Sequence, residues 1–161
     1  MASKHQIFVV VGATFLIFLF FFAARRVPTV PPVEVPETTL DQEIARAVTL
    51  VEHGTNPMEG IMALRGILER DSTVAEAHWH LGLFSVQSEQ FDKAAYRFEK
   101  VLELAPEQYS EAYLYLGKTY ITLGEVEQAI GTFENYLQVT QDSVLQAGLT
   151  EYINELKEQI K

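Results

Sequence analysis

The chain has 161 residues, no cysteine and a formal net charge of −10, and 48% of its residues are hydrophobic. That length supports one modest domain plus appendages, and the missing thiols exclude disulfides, thiolate zinc sites, a cysteine nucleophile and a bacterial lipid-modified N-terminus. From Leu40 onward 20 acidic residues face 9 basic ones, a surface that repels phosphate and argues against nucleic acid as a partner.

After a short N-terminal tail (1–6), residues 7–24 read IFVVVGATFLIFLFFFAA, with no charge. At about 1.5 Å per residue such a helix is about 27 Å long, close to the thickness of bilayer hydrocarbon. The expectation is a transmembrane helix that anchors the chain in a cytoplasmic (inner) membrane. A cleaved signal peptide is the alternative, but its apolar region is usually shorter and ends in a small-x-small site; here Ala23-Ala24 follows Phe22 and precedes Arg25-Arg26. Positive charges are nearly balanced across the span. A long C-terminal domain crosses largely regardless of charge, so the domain is expected on the periplasmic or extracytoplasmic side, with a cytoplasmic orientation left open. Residues 25–39, RRVPTVPPVEVPETT, hold four of the six prolines and read as an extended spacer or a plain tether.

Beyond the spacer the sequence repeats. AEAHWHLGLFSVQSEQFDKAAYRFEKVLELAP (75–106) and SEAYLYLGKTYITLGEVEQAIGTFENYLQVTQ (110–141) align at a spacing of 35, matching Leu81-Gly82 with Leu116-Gly117, Ala94 with Ala129 and Phe98 with Phe133. A fainter copy begins at Asp41, where Ala47-Val48, Gly60, Leu64 and Ile67 correspond at a spacing of 34 to Leu81-Gly82, Ala94, Phe98 and Val101. Three copies of one unit (41–74, 75–109, 110–142) therefore fill residues 40–142. Each copy has two apolar stripes of near 3.6-residue period, so each unit is predicted to be a pair of helices. Local signals agree. Gly124 suits a left-handed helix stop, Asn56-Pro57 suits a helix start, and Thr39 to Gln42 and Thr73 to Glu76 both have capping-box spacing. Residues 143–161 form one more amphipathic stripe (Leu145, Leu149, Tyr152, Ile153, Leu156, Ile160), expected to be a helix that covers the exposed end of the stack or, alternatively, mediates dimerisation.

These motifs resemble the tetratricopeptide repeat family, on Leu81, Gly82, Ala94, Phe98 and Pro106 and again on Leu116, Gly117, Tyr120, Ala129 and Phe133. Departures are Ser85 for the expected aromatic, Ser72 and Gln141 for the closing proline, and Val48 for glycine. The resemblance implies an all-α fold: a right-handed α-solenoid of three helix hairpins with a C-terminal capping helix. Gly60 is small where alanine is usual, so compensation of volume predicts a Val48–Gly60 contact.

The two histidines of HWHLG (78–82) lie about 200° apart on a helix and cannot share an ion from it, so His78 and His80 read as packing residues. Trp79 is expected to face the concave groove that the first helices of the hairpins form in this family. By alignment Ala45, Thr49, Glu52, Glu76, Trp79, Leu83, Val86, Leu114, Lys118 and Ile121 line it, giving an apolar floor with an acidic lip. Such a strip suits a protein or peptide segment with apolar side chains and some positive charge, unless the capping helix or the spacer fills it. No phosphate loop, nucleophile elbow or metal spacing is present, so neither enzyme activity, nor a cofactor, nor a small-molecule substrate is expected. The reading is a membrane-anchored adaptor or scaffold similar to small bacterial envelope proteins of this layout. The alternative is a constitutive subunit of a larger membrane protein complex.

Overall fold

The computed structural model describes residues 38–161 except residue 55. The tail, the apolar span at 7–24 and most of the proline-rich spacer lie outside the described residues. Seven helices follow in order: α1 Leu40–His53, α2 Pro57–Arg70, α3 Ala75–Gln87, α4 Phe91–Leu104, α5 Glu111–Leu123, α6 Val126–Val139 and α7 Ser143–Gln159. No strand occurs among the described residues, and none of these helices is long and apolar enough to cross a membrane. Helices α1 and α2, α3 and α4, and α5 and α6 pair most extensively, while α4 also packs on α5 and α6 on α7. The architecture is a row of three helix hairpins closed by a seventh helix.

The punctuation of these helices is local chemistry. Thr39 and Gln42 form the reciprocal capping box, each side chain bonded to the other's backbone N–H. Gly124 ends α5 at φ 79°, a left-handed backbone that glycine adopts without penalty. Pro57 opens α2 at its first position, with Asn56 as a cap residue that makes no side-chain bond. The box expected from Thr73 to Glu76 does not form. Val74 takes the cap position of α3, while the backbone N–H and hydroxyl of Thr73 both donate to Asp71 Oδ1 at 2.9 and 2.6 Å. An aspartate two residues upstream offers an Asx turn, and that competitor wins the threonine.

Each hairpin buries its stripe together with the first helix of the next. The first cluster joins Ile44, Ala47, Leu64, Ile67, Ala77, Leu81 and Phe84; the second joins Ala94, Ala95, Phe98, Val101, Ala112 and Leu116. The third combines Ala129, Ile130, Phe133 and Tyr136 of α6 with Leu149, Ile153 and Leu156 of α7. The last helix therefore covers the end of the stack. Its start is fixed by Asp142, which accepts from the N–H groups of Val144 and Leu145.

The glycines show how hairpins close. A Cβ on Gly82 would stand 2.7 Å from a ring carbon of Phe98, and one on Gly117 would stand 2.3 Å from Phe133. Glycine thus clears the buried aromatic of the second helix, rather than a small residue opposite. In the first hairpin Leu64 replaces that phenylalanine, and the smaller side chain leaves room for Val48, which packs half-buried against the same cluster. The tightest approach at Gly60 is made by other residues than the expected Val48. The nearest neighbours of a Cβ on Gly60 are the Ala47 carbonyl oxygen at 2.3 Å and Val51 Cγ2 at 2.6 Å. Gly60 serves a close backbone approach, and the volume exchange runs between positions 48 and 64.

Candidate functional site

Helix α3 carries the residues that the sequence singled out, and its neighbours decide what each does. His78 is buried and bonded at both ring nitrogens: Nε2 lies 3.2 Å from the Ser72 carbonyl oxygen, and Arg97 Nη1 lies 3.1 Å from Nδ1. A carbonyl only accepts and a guanidinium only donates, so His78 is held as the neutral tautomer with its proton on Nε2. Burial, then the Arg97 charge, pushes its pKa below the ordinary imidazole value. His80 stacks on Phe84 with ring centroids 6.3 Å apart and lies 4.0 Å from Glu76; burial lowers its pKa too. Both histidines are packing residues, pointing to different neighbours.

Trp79 occupies an aromatic wall. Its ring lies 5.3 Å from Tyr115 of α5, 5.6 Å from Tyr109 in the preceding loop and 5.7 Å from Phe98 of α4, edge-on to Tyr115 and Phe98. Tyr115 in turn stacks on Phe98 at 5.5 Å. Separations in this range are favourable aromatic geometry. Trp79 was expected on the groove floor; its ring is half-buried and joins two hairpins. Tyr109 and Tyr115 are the residues that sequence reasoning missed. Alignment had paired Tyr115 with His80, and repeat spacing carries no signal that a loop tyrosine folds over the tryptophan.

The other groove residues divide by hairpin. Leu83 and Val86 pack half-buried with Trp79 against the second cluster, while Leu114 and Ile121 pack against the third. Ala45, Thr49, Glu52 and Lys118 are exposed, and Thr49 returns its hydroxyl to the Ala45 carbonyl at 2.8 Å. Glu52 of α1 and Glu76 of α3 both favour the charged form of His80, against the larger effect of burial. Glu76 also raises the pKa of Tyr109, after burial. Glu111 is exposed at the start of α5. The face combines half-buried apolar and aromatic side chains (Trp79, Leu83, Val86, Leu114, Ile121) and the exposed Tyr115 with carboxylates at positions 52, 76 and 111. Among the described residues no group of three or more His, Cys, Asp or Glu side chains is placed to hold a metal ion.

Comparison with known proteins agrees with this geometry. Residues 85–151 match the family model described as tetratricopeptide repeat. Among 21 matching chains of solved structures is the crystal structure of MamA, with a TM-score of 0.58 and 21% sequence identity over 75% of this chain and 78% of that one. At that identity the likeness is one of fold. No curated protein matches the sequence.

Proposed function

We propose, from its likeness to the tetratricopeptide repeat family, that the protein is a membrane-anchored adaptor that docks a protein partner on the inner faces of α1, α3 and α5. Proteins of this fold act as protein-interaction scaffolds, and the face built here has the chemistry for that task. The observation that carries the reading is the Trp79–Tyr109–Tyr115 wall with Leu83 and Val86 beside it, rimmed by acids. Aromatic side chains in a partly desolvated patch are the usual anchors of protein interfaces. Glu52, Glu76 and Glu111 select a segment with lysine or arginine beside its apolar residues and repel an acidic one. Anchoring rests on residues 7–24, whose length and composition suit a membrane span; the repeat domain then stands extracytoplasmically at the end of the proline-rich spacer. The partner belongs to the same membrane environment.

The test uses charge rather than the aromatics, because Trp79 also supports the fold. Glu76→Lys with Glu111→Lys reverses the rim at partly and fully exposed positions. Partners that co-purify with the native chain in detergent are expected to be lost from this variant at unchanged helicity. Trp79 is the chain's one tryptophan, so partner addition should also shift its emission. Retention of the same partners by the reversed variant, with unshifted emission, would overturn the groove as the docking site.

A further inference from the structure

The two junctions between hairpins are built from equivalent positions but differ in content. At the junction of the second and third hairpins Tyr120 of α5 packs against the neighbouring clusters and donates its hydroxyl to Glu99 of α4 at 2.5 Å. Leu123 packs beside it. One repeat earlier these residues become Ser85, Arg65 and Ser88. Both serines bond back to their own helix: Ser85 donates to the Leu81 carbonyl at 2.7 Å and Ser88 to the Phe84 carbonyl at 2.8 Å. The space that an aromatic and a leucine fill at the later junction stays open here as a cleft of about 220 Å³.

The cleft is also inverted in charge. Arg65, Lys93 and Arg97 line it, where the later repeat has Glu99, Gln128 and Thr132. Apolar walls come from Ile61, Leu81, Phe84 and Tyr96. Among the described residues no carboxylate lies within 4.0 Å of any of these three cations, although the domain has an acidic excess. Lys93 instead meets the Gln90 side-chain oxygen at 2.5 Å. Arg97 spends one N–H on His78, and its remaining donors are left to the cleft. It is half-buried beside Arg65, and burial and that like charge both disfavour its cationic form. Asp92 is the one carboxylate in the lining; it is exposed and forms no ion pair with the described residues.

We propose that this cleft between α2, α3 and α4 is a second docking site, which takes an acidic segment of a protein partner carrying an aromatic side chain. The ring would enter the space that Tyr120 fills one repeat later, and the flanking carboxylates would pair with Arg65, Lys93 and Arg97. Paired guanidinium groups suit carboxylates through parallel N–H donors. The overall negative charge opposes this ligand at long range, but the Debye length is about 8 Å at 0.15 M salt. Contact pairing therefore decides. The site is opposite in charge preference to the groove and does not rest on it.

The test titrates the full chain, in nonionic detergent at that salt, with the peptide acetyl-Asp-Glu-Phe-Glu-Asp-amide and its neutral counterpart acetyl-Asn-Gln-Phe-Gln-Asn-amide. The acidic peptide should bind at least tenfold tighter, with chemical-shift changes confined to residues 61–65 and 81–97. Ser85→Tyr, which fills the cleft as Tyr120 does, and Arg65→Glu, which restores the later junction's carboxylate, should each weaken binding at least tenfold. If Ser85→Tyr fails to fold, Arg65→Glu decides, since residue 65 is exposed. Absent binding, equal binding of both peptides, shifts centred on Lys118, or undiminished affinity in Arg65→Glu would overturn the proposal.

Discussion

The first and third hairpins fill the space between their helices by different exchanges of volume. In the third, Gly117 leaves space for Phe133, a ring only 1% exposed. In the first, Val48 and Leu64 divide that space between two aliphatic side chains, and the tightest approach moves to Gly60 against the Ala47 backbone. What a repeat preserves is the summed volume between its helices rather than the residue at any one place, as expected of interiors packed at crystalline density.

The strongest challenge to this comparison is to convert one hairpin into the other. Gly117→Val should cost about 3 kcal/mol or more, since the new side chain meets a ring that cannot leave the core. Adding Phe133→Leu should recover much of the loss, a strongly non-additive pair in urea unfolding. Simple addition of two destabilising effects would break the volume argument. Next in size, Gly60→Ala should destabilise by about 2 kcal/mol, because a backbone carbonyl cannot turn aside as a side-chain tip can. A neutral result there would show that the first hairpin is looser than described.

A smaller effect separates the two junctions. Tyr120→Phe removes a hydroxyl from Glu99 and should cost about 1 kcal/mol in thermal or urea unfolding. The smallest lies in pH. His78 and His80 are held below the ordinary imidazole pKa of 6.5, chiefly by burial. Just below pH 6.5 the unfolded chain therefore binds more protons than the folded one, and stability falls as pH drops. Glu43, lowered mainly by its bond from Arg70, and Asp71, lowered by Thr73, act in the same direction. Their window lies below the carboxylate values of 4.5 and 3.8. Denaturation midpoints between pH 7.5 and 5.5 should decline, and less steeply in His78→Phe.

Much of the fold was legible because periodicity and repeat spacing report burial directly: Ala77, Leu81 and Phe84, then Ala94, Phe98 and Val101, all fall in the core. Of the two capping boxes read from the sequence, the one at Thr39 forms with Gln42, whereas Thr73 is bonded to Asp71 instead. The candidate site was harder to read, because a helical side chain leans toward its own N-terminus and across to neighbours that spacing does not identify. Alignment thus marked Trp79 but missed Tyr109 and Tyr115. Nor did the departures at Ser85 and Val48 disclose their consequences, an open cleft in one case and a volume exchange with Leu64 in the other.

Docking on the inner face is tested most directly by photo-crosslinking in cells. A benzophenone amino acid is placed at Lys118, exposed on that face, and separately at Val139, 48% exposed at the end of α6. The account predicts a discrete adduct with a second protein from position 118 and none from 139. Adducts from 139 alone, or equally from both, would contradict it.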